Sequence, residues 1–75
     1  MTDLDLRGTP CPLNYIRTKL ALEGLAAGQQ LRVTLDRGEP QQMVADGISG
    51  AGHQVDVSPH ADDQGAVVLV ISPHG

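Results

Sequence analysis

The one cysteine of the chain, Cys11, stands between two prolines in Thr9-Pro10-Cys11-Pro12-Leu13-Asn14, where a short alternating segment gives way to a helical pattern. A thiolate is the nucleophilic form of cysteine. A helix start offers unpaired backbone N–H groups and a partial positive charge that favour that form. Taken by residue type alone, Cys11 would be a small buried hydrophobe, since free cysteine is among the most buried residue types. Its flanking prolines and its place at a helix start favour a reactive thiol instead. Arg7, Arg17 and Lys19 fall within a few residues or two helical turns of it. Each taken alone is a solvated charge, and Arg7 and Arg17 are kept as groups that could attract a thiolate or persulfide.

Other chemistry-bearing residues make weaker patterns. His60 with Asp62 and Asp63 invites a metal reading, but a site needs three or four convergent ligands. His53, His60 and His74 fall at a helix-to-strand junction, in a turn and at the chain end, so no metal is expected. A Cys11–His53 nucleophile–base pair is conceivable, but sequence does not bring the two together, and His53 is left out of the site. Asp36-Arg37-Gly38-Glu39-Pro40 reads as a helix cap rather than an anion site, because Glu39 in the first turn would repel a phosphate.

The positioning elements follow from composition and periodicity. Seventy-five residues make one small domain, 1–75, with a formal net charge of −4, no Phe or Trp and Tyr15 as the one aromatic. The core must therefore be aliphatic. The acidic balance and scattered cations argue against direct nucleic-acid binding. A single cysteine excludes an internal disulfide framework, and no apolar run or leader pattern suggests a membrane. The reducing cytoplasm is the expected compartment. Oligomeric state is left open.

Asp3-Leu4-Asp5-Leu6 alternates as a short first strand, and Arg7–Pro10 is a loop. A first helix is expected from about Pro12 to Ala26, with Leu13, Ile16, Leu20 and Leu25 as its core stripe, Tyr15 and Leu22 widening it, and Gly28 beyond its end. Leu31–Leu35 alternates as a second strand. Glu39-Pro40 opens a second helix with Met43, Val44 and Ile48 as core positions, weakened by Gly47 and Gly50 and ended by Gly52. His53–Ser58 and Ala66–Ile71 are two further strands, the last apolar on both faces and so central, joined by a turn-rich segment. The βαβαββ order fits an α+β fold, a two-layer α/β sandwich with both helices on one face of a four-stranded mixed sheet.

Leu4-Asp5, then Gly8, then Cys11-Pro12 opening a helix and Gly28 following Leu25 resembles the TusA/SirA-like small sulfurtransferases. That family begins with Leu-Asp, a Gly, a Cys-Pro-x-Pro motif and a helix. Asn14 stands where the family has its second proline, where it could bond near the thiol. The resemblance implies a two-layer sandwich and sulfur carried as a persulfide on Cys11, with Pro12 and Asn14 supporting the helix start. A sulfur carrier is thus expected, a persulfide-bearing protein more than a stand-alone turnover enzyme. It would take sulfur from a donor protein, a cysteine desulfurase or a rhodanese-like protein, and pass it to an acceptor thiol without metal or organic cofactor. Helix-start N–H groups would hold the terminal sulfur. The end use, tRNA thiolation or cofactor sulfuration, stays open. So do two other readings: a non-catalytic regulatory or interaction module of the same fold, and a single-cysteine redox sensor.

Overall fold

Alternation in Leu31-Arg32-Val33-Thr34-Leu35 sorts one strand into an apolar and a polar face, and the rest of the sheet is built in register with it. A computed structural model of the chain describes residues 2–73. Its elements are β1 (Thr2–Asp5), α1 (Leu13–Glu23), β2 (Leu31–Asp36), α2 (Glu39–Gly50), β3 (Gln54–Pro59) and β4 (Ala66–Ser72). The sheet order is β1-β2-β4-β3, with β1 parallel to β2 across the α1 crossover and the other pairs antiparallel. Strand β4, apolar from Ala66 to Ile71, is one of the two inner strands, as its composition requires.

Register places Leu31, Val33 and Leu35 beside Ile71, Leu69 and Val67, and all six are buried. Leu6, Val44 and Ile48 complete this core. Fully burying each such side chain contributes about 1.5–3 kcal/mol, so an aliphatic sheet face closed by α2 suffices without Phe or Trp. The other sheet face carries Arg32, Thr34, Val68 and Val70, and Arg32 pairs with Asp3 across the parallel β1–β2 ladder at 3.6 Å.

Helix α1 departs from expectation in both bounds and face. It runs Leu13–Glu23, shorter at each end than Pro12–Ala26, and Leu13, Ile16 and Leu20 are 45%, 44% and 61% exposed rather than core. Asn14 and Thr18 are fully buried in their place, while Tyr15, Ala21, Leu22 and Leu25 pack partly buried against the core. The sequence carries two apolar stripes. Residues 13, 16 and 20 form one at helical spacing, and 15, 18, 22 and 25 form another on the opposite side. Two contacts favour the second. The Thr18 hydroxyl donates to the Asn14 carbonyl oxygen at 2.8 Å, so its burial leaves no unpaired hydroxyl. The Tyr15 ring lies on the bare Cα of Gly47 in α2: a Cβ there would stand 2.5 Å from Tyr15 Cε1.

Gly47, which weakens α2 on propensity alone, is thus the residue that lets the helices meet. Gly47→Ala is expected to lower the unfolding free energy by about 1–3 kcal/mol through overpacking. Gly50→Ala, where an added Cβ meets nothing within 4 Å, should instead raise it by up to about 1 kcal/mol. Urea melts of the two variants separate these effects, and equal midpoints would mean that the ring simply moves aside.

Candidate functional site

The loop that presents Cys11 is short, and its backbone is tied down on both sides. Leu6 N–H donates to the Thr34 carbonyl at 2.8 Å and Thr9 N–H to the Leu6 carbonyl at 3.0 Å. Gly8, at φ +76°, turns its N–H onto the Asp36 carboxylate at the end of β2, 2.8 Å away. A side chain would be strained in that conformation. Arg7 closes the loop from outside. Its guanidinium grips Asp5 through Nε and Nη2, at 3.0 and 2.7 Å, and reaches Asp63 through Nη1 at 3.2 Å.

These bonds assign Arg7 a different part from the one expected of it. Its charge is engaged by two carboxylates, so it straps the loop and is no free cation for a thiolate. The side-chain and backbone hydrogen bonds from Arg7 hold the Asp5 carboxyl at about 2, below its ordinary 3.8. Asp63 is lowered as well, first by the Gly65 N–H and then by Arg7.

Cys11 itself is exposed, and the Cys11–Pro12 peptide is cis. Pro12 precedes the first helical residue, Leu13, without a side-chain cap. The thiol Sγ donates to Met43 Sδ of α2 at 3.0 Å. Thioether sulfur is a weak, polarizable acceptor. Met43, expected in the core, is 44% exposed and completes the surroundings of the thiol. A signal for this was present in the sequence. Val44 and Ile48 are one helical turn apart and share the inward face, and Met43 lies about 100° away from Val44.

Most helix-start amides are already occupied. Asn14 N–H donates to the Pro10 carbonyl at 3.1 Å, Ile16 N–H to the Pro12 carbonyl at 3.0 Å and Tyr15 N–H to Asn14 Oδ1 at 2.7 Å. Among the first four residues of α1, Leu13 is left to offer a backbone N–H, in place of the set expected to hold a terminal sulfur. Asn14 turns inward to complete burial and does not bond the thiol. Its Oδ1 caps Tyr15, and its Nδ2 has no hydrogen-bond partner among the described residues. A proline at this position would lose the bond to Pro10 and also the orphaned amide.

The remaining expectations separate in space. Arg17 and Lys19 are exposed on α1 and make no ion pair among the described residues. His60 Nδ1 accepts the N–H groups of Asp62 and Asp63, both at 3.0 Å, and so shapes the β3–β4 turn. His53 lines a groove of about 540 Å³ with Leu22, Leu25, Gln30 and Ser72. That groove lies where β2 begins and β4 ends, opposite the end of the sheet that holds the Cys11 loop. The fold therefore does not bring Cys11 and His53 together. His74 lies outside the described residues. Among those residues no group of three or more His, Cys, Asp or Glu side chains is placed to hold a metal, and no helix is long and apolar enough to cross a membrane.

Known proteins resemble this chain in sequence and in fold. The family model described as Sulfurtransferase TusA matches residues 2–72. A protein of Archaeoglobus fulgidus named "Putative sulfur carrier protein" is 40% identical over 52 residues, which are 69% of this chain and 59% of that protein. A protein of the same name from Thermotoga maritima is 33% identical over 52 residues, 69% of this chain and 66% of that protein. The chain thus spans under two thirds of the length of these relatives. The crystal structure of a SirA-like protein from Desulfitobacterium hafniense superposes with a TM-score of 0.80 at 26% identity, covering 95% of each chain.

The Arg7 strap has a pH signature. A carboxyl depressed in the folded state stabilises fully above its unfolded value, here 3.8, and that contribution is lost as pH falls through about 2. In an NMR titration Asp5 should have its midpoint at about 2. Arg7→Gln should return that midpoint towards 3.8 and remove the share of the acid-limb loss of stability that Asp5 contributes, while the share of Asp63 held by the Gly65 N–H stays; an unmoved Asp5 midpoint would refute the strap.

Proposed function

This chain belongs to the TusA family, and we propose that it is a sulfur carrier in which Cys11 bears the sulfur as a persulfide. The observation that carries this reading is a single exposed thiol on a tethered loop at a helix start, in a chain whose relatives are named for sulfur carriage. Arrival and departure are each one thiolate attack on a sulfane sulfur. The Cys11 thiol first gives up the proton that it shares with Met43 to solvent. Its thiolate then attacks the terminal sulfur of a donor persulfide, the donor S–S bond breaks, and the donor leaves as a thiolate that can take up a proton. Cys11 now carries an S–S bond to the transferred atom. In the second step an acceptor thiolate attacks that atom and Cys11 is released as thiolate. Sulfane sulfur changes hands without net oxidation or reduction, so the transfer needs no metal or organic cofactor.

The surroundings support such a role in three ways. Exposure gives a partner's cysteine access to Sγ. Having no second cysteine, the carrier cannot discharge into an internal disulfide. Met43 flanks the sulfur with a polarizable thioether rather than a competing nucleophile. A cysteine desulfurase or rhodanese-like protein fits the donor chemistry and a protein thiol the acceptor. The reducing cytoplasm suits both, and thiolation of tRNA or sulfuration of a cofactor is the kind of end use the chemistry serves.

Incubation with a cysteine desulfurase and cysteine, followed by mass spectrometry, tests the proposal. Wild type is expected to gain a sulfur atom at Cys11, removable by a reducing thiol, and Cys11→Ala to gain none. A free thiol that stays unmodified, or equal gain by Cys11→Ala, would overturn it. Partner binding that survives Cys11→Ser while no persulfide forms would identify an interaction module instead.

A further inference from the structure

Helix α1 is apolar on two opposite sides, and the fold uses one of them. Tyr15, Leu22 and Leu25 pack against the core, while Leu13, Ile16 and Leu20 face water. Within α1 these three lie within about 60° of one another around the axis. Burying apolar surface contributes about 25 cal/mol per Å², and this side of the helix forgoes that contribution in the isolated chain. The exposed stripe begins two residues after Cys11, and Met43, also exposed, touches the thiol.

Charge distinguishes this face from the rest of the molecule. Arg7 and Arg32 are paired with carboxylates, and Arg37 donates through Nε to the Gln64 carbonyl. Arg17 and Lys19 are the cations left without such a partner among the described residues, and both are on α1 in a chain of net charge −4. On the α2 side, Glu39 and Asp46 are exposed one turn before and after Met43. The exposed stripe of α1 thus runs between Arg17 on one flank and Lys19 on the other, with Glu23 one turn beyond Lys19, while the carboxylates of Glu39 and Asp46 lie on α2.

We infer that the Leu13–Ile16–Leu20 face is the docking surface for a partner protein whose own contact patch is apolar and bordered by carboxylates that meet Arg17 and Lys19. This deepens the carrier reading and rests on it, since docking there would bring a partner's cysteine to Cys11. A second copy of the chain fits less well. Two α1 faces brought together would oppose their like charges and cover the thiol.

Peptide disulfides test the surface without any persulfide. Three short peptides each carry one cysteine activated as a mixed disulfide with thionitrobenzoate, next to leucines flanked by glutamates, leucines flanked by lysines, or serines flanked by glutamates. The Cys11 thiolate attacks the peptide sulfur, its thiol proton passing to solvent, and the activated S–S bond breaks. A protein–peptide disulfide forms and thionitrobenzoate leaves as a coloured thiolate. The glutamate–leucine peptide should react about tenfold faster than the lysine–leucine one at low ionic strength, and the gap should close in high salt. The triple variant Leu13→Ser, Ile16→Ser, Leu20→Ser should erase the advantage of leucines over serines, with its rate towards free dithionitrobenzoate unchanged as a control for folding and for the thiol. Equal rates for the two leucine peptides, a preference for lysine, or a wild-type dimer with Cys11 shielded would each overturn the inference. Persulfide formation with no peptide preference would leave the carrier and remove the surface; peptide preference with no persulfide would do the reverse.

Discussion

The contact between the Tyr15 ring and the bare backbone of Gly47 sets the rotation of α1, and most of what distinguishes the molecule depends on that rotation. With the ring held between the helices, Leu22 and Leu25 turn towards the sheet and Thr18 follows, its hydroxyl bonded to the helix backbone. The same rotation buries Asn14 and leaves Leu13, Ile16 and Leu20 in water. A close approach of helices requires a residue without a side chain at the contact. Here that residue is supplied by the helix with the lower intrinsic stability.

A second set of constraints holds the thiol in place without enclosing it. Asp36 caps the Gly8 turn, Arg7 bridges Asp5 to Asp63, and the backbone of Leu6 continues the β1–β2 ladder for one more bond. The loop is therefore anchored to the first two strands and to the turn between the third and fourth, while Cys11 protrudes beyond these bonds. Exposed ion pairs contribute little stability singly. Their value here lies in fixing where the loop exits, so that the sulfur rests against Met43.

Much of the fold was legible because sheets are read with a period of two, and the sheet carries a clean one. Leu31, Val33 and Leu35 alternate with polar residues, and Ala66–Ile71 is apolar on both sides, so strand number, the central place of the last strand and the α+β class all follow. The helix start beside Cys11 was legible from Pro12 and the spacing beyond it. The face of α1 was not, because two stripes at the same spacing compete within eleven residues and periodicity scores both. The reach of Arg7 to Asp63 was hidden for another reason: Asp63 is fifty-six residues away in sequence.

The amino-acid sequence by itself determined the elements, their order and the place of the one thiol just before a helix, since these rest on local patterns: alternation, helical spacing, and a cysteine set between prolines. Tertiary structure decided which side of α1 meets water, that Met43 rather than a histidine stands beside the sulfur, and that Arg7 straps the loop instead of facing the thiol. Each of these depends on contacts between residues far apart in the chain. Such contacts are chosen by steric fit and charge pairing in three dimensions, and no local period records them.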